Sequence, residues 1–169
     1  MGMEIERKFL LRDGSWRDAV QRSVRMAQGY INDHAAVAGG AQQASVRVRI
    51  GGGEAFLNLK SREAGPTRQE FEYAIPVADA EALLGLCVGG RIEKTRHYVP
   101  HAGMTWEIDE FDGDNAGLVV AELELPAADA PFARPAWLGA EVTDAVRYYN
   151  LALAARPFRA WTDEERHGC

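Results

Sequence analysis

Residues 4–11 read Glu4-Ile5-Glu6-Arg7-Lys8-Phe9-Leu10-Leu11. In an extended strand, residues two apart share a face, so Glu4, Glu6 and Lys8 point one way while Ile5 and Phe9 point the other. Alone, this is what any surface strand with a solvated face looks like. The same alternation then returns along the chain. Arg47 and Arg49 alternate with Val46, Val48 and Ile50, Asn58 and Lys60 with Leu57 and Leu59, and Glu70 and Glu72 with Phe71 and Tyr73. Lys94 and Arg96 share a face, Glu107 and Asp109 flank Ile108, and Glu122 and Glu124 alternate with Ala121, Leu123 and Leu125.

Eight runs carry strand signals: EIERKFLL, RMAQGYIN, SVRVRI, EAFLNLKS, QEFEYAI, RIEKTRHYV, MTWEIDEF and LVVAELEL. That number fits one closed antiparallel barrel. Three segments read as helices able to cover its apolar face. Ser15 opens one carrying Trp16, Ala19, Val20 and Val24. Residues 79–87 place Leu83, Leu84 and Cys87 at helical spacing. Thr143 caps a third through about Ala155, led into by Trp137 and Leu138. Turns are expected at 51–53 (GGG), at 61–68 around Gly65-Pro66 and at 112–114 (DGD), with a flexible connection at 34–44. The expected fold is therefore α+β and mainly β: an eight-stranded antiparallel β-barrel tunnel with a charged interior and helices packed on the outside. Residues 1–155 form a single domain in this reading, and 156–169 a polar, loosely held tail.

Like charges repeated at i and i+2 repel unless counter-charges or bound ions offset them. A dry, closed set of salt bridges is disfavoured, because desolvating each ion costs several kcal/mol that pairing rarely recovers. A water-filled channel taking up a cation and an anion explains the pattern better. Several arginines and lysines in one cavity suit a polyphosphate, since guanidinium forks bind phosphate oxygens in pairs. Carboxylate ligands without His or Cys favour Mg²⁺ or Mn²⁺ over zinc.

Composition narrows the partners. With 47% hydrophobic and 26% charged residues the chain is ordinary globular protein, and no apolar run approaches the ~20 residues that span a bilayer. A net charge of −6 argues against a broad nucleic-acid surface. Cys87 and Cys169 are too few for a disulfide framework. The acidic opening Met-Gly-Met-Glu matches neither a secretory signal nor a myristoylation site, so a cytoplasmic protein with no membrane partner is expected.

The residues also resemble a known family. Glu4-x-Glu6-x-Lys8 looks like the ExExK signature of the CYTH superfamily, the triphosphate tunnel metalloenzymes. The resemblance continues through QGYI, VRVR, LNLKS, RQEFEY, EKTRHYV, WEIDEF, AELEL and VTDAVRYYN. It implies that Lys8, Arg47, Arg49, Lys60, Lys94 and Arg96 hold phosphates, with Arg62 and Arg68 at the rim. It makes Glu4, Glu6, Glu122 and Glu124 the metal-ligand candidates, and Lys8, Glu6, Glu122 and Glu124 the catalytic ones. Glu70, Glu72, Glu107 and Asp109 become further tunnel acids. Arg147, on the final helix, would reach a terminal phosphate. In some relatives lysines neighbour this Tyr-x-Asn region, where Val146 and Tyr149 stand here. Tyr30 and His97 read as packing and outward-facing residues. The implied activity is divalent-metal-dependent hydrolysis of a triphosphate, first of all tripolyphosphate to pyrophosphate and phosphate. Alternatives are a class IV adenylate cyclase, a thiamine triphosphatase and a non-catalytic polyphosphate-binding module. The resemblance also suggests a homodimer.

Overall fold

The computed structural model describes residues 2–62 and 66–167. All eight expected strands form: β1 (Gly2–Leu11), β2 (Arg22–Tyr30), β3 (Ala44–Gly51), β4 (Glu54–Ser61), β5 (Thr67–Ile75), β6 (Val88–His101), β7 (Met104–Phe111) and β8 (Val119–Glu124). They are hydrogen-bonded in the order β5-β4-β3-β2-β6-β7-β8-β1, and pairing of β1 with β5 closes the barrel. A short ninth strand, β9 (Leu138–Glu141), adds to β1. The expected turn at Gly51–Gly53 joins β3 to β4, with Gly52 at φ 61° and Gly53 at φ 80°, the left-handed conformation that a tight hairpin requires. Gly65 of the second expected turn lies outside the described residues.

Cross-strand register explains why the charged face turns inward. Lys8 stands opposite Glu122, Lys60 opposite Glu70 and Arg96 opposite Asp109, opposite charges that support the pairing. The alternate face is apolar and packs outward. Phe9, Val99, Trp106, Ile108, Ala121 and Leu123 are buried beneath Trp16, Trp137 and Leu138. On the neighbouring wall Val48 and Ala55 are covered by helix α2 (Val77–Leu84) through Ala80.

The helical expectations need correction. The Ser15 segment is a single 3-10 turn, Ser15–Ala19, and Val24 belongs to β2. Cys87 falls beyond α2. The 34–44 connection contains a short helix, α1 (His34–Ala38), with Val37 buried. Thr143 caps nothing. Its hydroxyl accepts from the Lys8 backbone N–H at 3.0 Å and donates to Glu141 at 2.6 Å, satisfying the β1 edge. The helix α3 (Asn150–Ala155) starts later, after a 3-10 turn at Val146–Tyr148.

Residues 156–167 are not loose either. Trp161 is 4% exposed and meets Tyr148 and Phe158 edge to face. Thr162 opens α4 (Asp163–Arg166) with a reciprocal capping box to Glu165. Tyr148, Leu153, Ala154 and Trp161 cluster with Tyr30, Ile92, Phe111 and Val120. Ile92, Phe111 and Val120 share the inward face of β6, β7 and β8 with the charged residues, so this cluster gives one end of the barrel an apolar floor. No helix of the described residues is long and apolar enough to cross a membrane.

Candidate functional site

Above that floor the barrel encloses a cavity of about 830 Å³. Its wall contains Glu4, Glu6 and Lys8 from β1, Arg47 and Arg49 from β3, and Lys60 from β4. Arg68, Glu70 and Glu72 come from β5, Arg96 from β6, Glu107 from β7, and Glu122 and Glu124 from β8. Twelve of the fifteen side chains expected at the site line this one cavity and two more back it, because the period-2 alternation puts them on one face of consecutive strands.

Lys94 and Asp109 form that backing and do not line the cavity. The register sets Lys94 beside Met26 and Phe111, at the level of the apolar floor. Both residues are wholly buried, with Lys94 Nζ 2.7 Å from Asp109 Oδ2 and 3.3 Å from Asn150 Oδ1. Asp109 also receives a two-pronged hydrogen bond from Arg96, at 2.8 and 2.9 Å. Burial pulls the Lys94 ammonium down to about 8 despite Asp109. Arg147 is likewise not in the cavity wall. Its guanidinium lies over Tyr148 and Trp161 and reaches the Glu165 carbonyl, drawn outward by the folded tail. His97 faces out as expected, bonded to Ser23 and Glu110. Tyr30 contributes to both the floor and the cavity wall.

The basic side is crowded. Arg47 is 8% exposed, has no ion-pair partner among the described residues, and buries its Nε without an acceptor. Burial, then the charges of Arg47 and Arg96, lower the Arg49 guanidinium. Arg96 also pairs with Glu107 and approaches Glu122 at 3.8 Å. Grouped guanidiniums, one with a buried N–H that has no acceptor, suit a bound anion.

The acidic side is crowded too. Glu6 stands directly opposite Glu124, and Glu107 opposite Glu122, like charges that destabilise a pair unless a cation intervenes. Burial, followed by the Glu122 carboxylate, pushes Glu6 up to about 8. Burial with Glu4 and Glu70 raises Glu124. Glu122 behaves oppositely: burial opposes its ionisation, but Lys8 and Arg96 hold it well below the usual range. Lys8 Nζ lies 3.1 Å from Glu122 and 3.8 Å from Glu6, and Lys60 Nζ 2.9 Å from Glu4.

Among the described residues no three His, Cys, Asp or Glu side chains already converge to hold a metal ion. The lysines are drawn onto the carboxylates instead. The donor set still fits a hard divalent cation: it is all oxygen, and its members crowd one another, burial and then Glu122 raising Glu6.

Three residues of the site had no clear signal in the sequence. Asn58 donates to Glu70 at 2.6 Å and Glu72 at 3.3 Å, and its place beside Lys60 in the alternation was the available hint. Thr143 and Tyr149 reach the cavity only because the chain crosses it after β9.

A barrel closed by antiparallel strands around a cavity of facing carboxylates and guanidiniums defines a class. The chain belongs to the CYTH domain family, whose model matches residues 2–154. It is 41% identical to the inorganic triphosphatase of Acetivibrio thermocellus over 160 residues, covering 94% of this chain and 97% of that one. With the inorganic triphosphatase of Nitrosomonas europaea it shares 39% over 155 residues, 89% and 96% of the two chains. The crystal structure of the inorganic triphosphatase NE1496 superposes with a TM-score of 0.65 at 36% identity, over 91% of this chain and 95% of that one. A Hippeastrum protein described with a dominant triphosphatase activity shares the fold alone, at 14% identity and a TM-score of 0.57, over 75% and 80% of the chains.

Proposed function

We propose that the protein is a divalent-metal-dependent triphosphatase that hydrolyses inorganic tripolyphosphate to pyrophosphate and phosphate. One observation carries the reading: a single cavity gathers Arg47, Arg49 and Arg96, with Arg47 lacking an ion-pair partner among the described residues, next to the crowded carboxylates Glu6, Glu122 and Glu124. Kinship with inorganic triphosphatases over nearly their full length supports it.

In this reading Arg47, Arg49 and Arg96 fork the phosphate oxygens, and Lys60 and Lys8 add point charge. Together they align the chain and neutralise charge as the bridging bond breaks. Lys94 and Asp109 act from behind the wall, holding Arg96 in place. Glu4, Glu6, Glu122 and Glu124 are the candidate metal ligands, and their oxygen-only chemistry favours Mg²⁺ or Mn²⁺. Bound there, such a cation would supply phosphate neutralisation and a more acidic water. A cation there would also favour the ionised form of Glu6, which burial and the Glu122 carboxylate disfavour. Glu70, Glu72 and Glu107 are left to orient water or the basic side chains. The protein works on a small triphosphate in the cytoplasm, without nucleic acid or membrane.

Initial rates with tripolyphosphate, thiamine triphosphate and ATP, each with Mg²⁺ or Mn²⁺, test this. Tripolyphosphate should be the best substrate, yielding equal phosphate and pyrophosphate, and Lys8→Ala should lower kcat/KM by on the order of 10²-fold or more. Cyclic AMP from ATP would instead make it a cyclase, and tight binding without product a binding module.

A further inference from the structure

The ring of Tyr149 lies against two cations of the cavity at once. Lys8 Nζ is 4.5 Å and Arg68 Cζ 4.4 Å from its centroid. Both are within the distance at which the negative face of an aromatic ring attracts a cation, an attraction that strengthens as water is excluded. Here water is largely excluded from Lys8, which is buried.

The ring is itself anchored. Its phenol donates to the Thr143 carbonyl at 2.6 Å, and the Thr143 hydroxyl binds the Lys8 backbone and Glu141. Arg7 in turn grips the Glu141 carboxylate with two hydrogen bonds, at 2.8 and 2.5 Å. Through Thr143, these bonds tie the phenol back to β1 at Arg7 and Lys8.

The location gives the arrangement a purpose. The edge of β1 away from β8 changes partner, from β5 at Gly2–Ile5 to β9 at Phe9 and Leu11. Lys8 lies in the interval, where its backbone bonds Thr143 and Val142 just beyond β9 instead of a strand partner. Tyr149 lines both the main cavity and a small crevice that it shares with Glu4, Glu6, Lys60, Pro66 and Arg68. Lysine and arginine lose much rotamer freedom on gripping a ligand, and side chains already held in place lose less.

We propose that Tyr149 is a positioning residue of the triphosphate site, its ring holding Lys8 and Arg68 together so that both meet one end of the substrate. The proposal rests on the triphosphate reading above. Tyr149 touches no reacting atom, so its effect belongs in binding more than in turnover.

Wild type, Tyr149→Phe, Tyr149→Leu, Arg68→Gln and the double variant Tyr149→Leu/Arg68→Gln are compared by KM and kcat for tripolyphosphate with Mg²⁺. The ring-current shift of the Arg68 side-chain protons is read by NMR in the free proteins. Tyr149→Phe keeps the ring face and should stay within about threefold of wild type, losing only the phenol hydrogen bond. Tyr149→Leu should raise KM about tenfold with a much smaller change in kcat. The double variant should be less impaired than the product of the single effects, the mark of coupled residues. A wild-type KM in Tyr149→Leu, strictly multiplicative effects, or equal losses in the Phe and Leu variants would overturn the proposal. So would the lack of a ring-current shift in a wild type that hydrolyses tripolyphosphate normally, an outcome that leaves the triphosphate reading standing. A clear shift in a wild type that neither binds nor hydrolyses any triphosphate would remove that reading, and the role of Tyr149 with it.

Discussion

At the scale of single residues, Arg47 and Glu6 carry most of the proposal that this cavity takes up ions. Arg47 is buried with no described counter-charge and raises the cost of charging Arg49. Removing it should therefore harm function without harming the fold. Arg47→Met is expected to lower kcat/KM for tripolyphosphate by on the order of 10²-fold, while thermal denaturation shows an unchanged or higher midpoint. Glu6 keeps 19% of its side-chain surface open to the cavity, yet burial and Glu122 push it up to about 8. A carboxyl raised in the folded state binds its proton more tightly than in the unfolded chain. Its stabilising contribution is full below about pH 4.5, is lost as pH rises, and is gone above about 8. In metal-free protein, Glu6→Gln should remove that fall, so the difference between the denaturation midpoints of wild type and variant should change across this window. Saturating Mg²⁺ should diminish the difference.

Lys94, Asp109 and Arg96 link β6 to β7 and, through Asn150, to α3. Asp109 is the shared acceptor and is wholly buried. Asp109→Ala leaves the buried Lys94 ammonium without its counter-charge and Arg96 without one of its partners, and urea denaturation should register a loss of about 3–5 kcal/mol. These elements also mark the limit of what the sequence discloses. Strict alternation made β1 to β8 legible, together with the inward face that carries the site. Alternation does not give depth along the barrel, and so Lys94 and Arg96 looked equivalent. Only the register, which sets Lys94 beside Phe111, separates the buried residue from the cavity residue. The four residues of β9 are too short to show a period. Thr143 read as a helix cap because its chemistry suits either role, and the unpaired Lys8 N–H that claims it is distant in sequence. Tyr149 carried no signal, since its place depends on where the chain crosses the barrel.

At the scale of the whole molecule, the C-terminal segment packs an apolar cluster at one end of the tunnel. Trp161, Tyr148 and Leu153 close the floor against Tyr30, Ile92 and Phe111, which a polar-looking tail did not suggest. Trp161→Ala should cost about 3–5 kcal/mol as a large buried aromatic is removed, measurable by denaturant unfolding. With the floor in place, acidic and basic groups share one enclosure, and triphosphate and metal should meet there. Anomalous diffraction from crystals holding Mn²⁺ and a non-hydrolysable tripolyphosphate analogue tests that directly. The expected result is manganese bound among Glu4, Glu6, Glu122 and Glu124, with phosphates on Arg47, Arg49 and Arg96. Manganese or analogue bound only outside the barrel, with the cavity ion pairs unchanged, would contradict it.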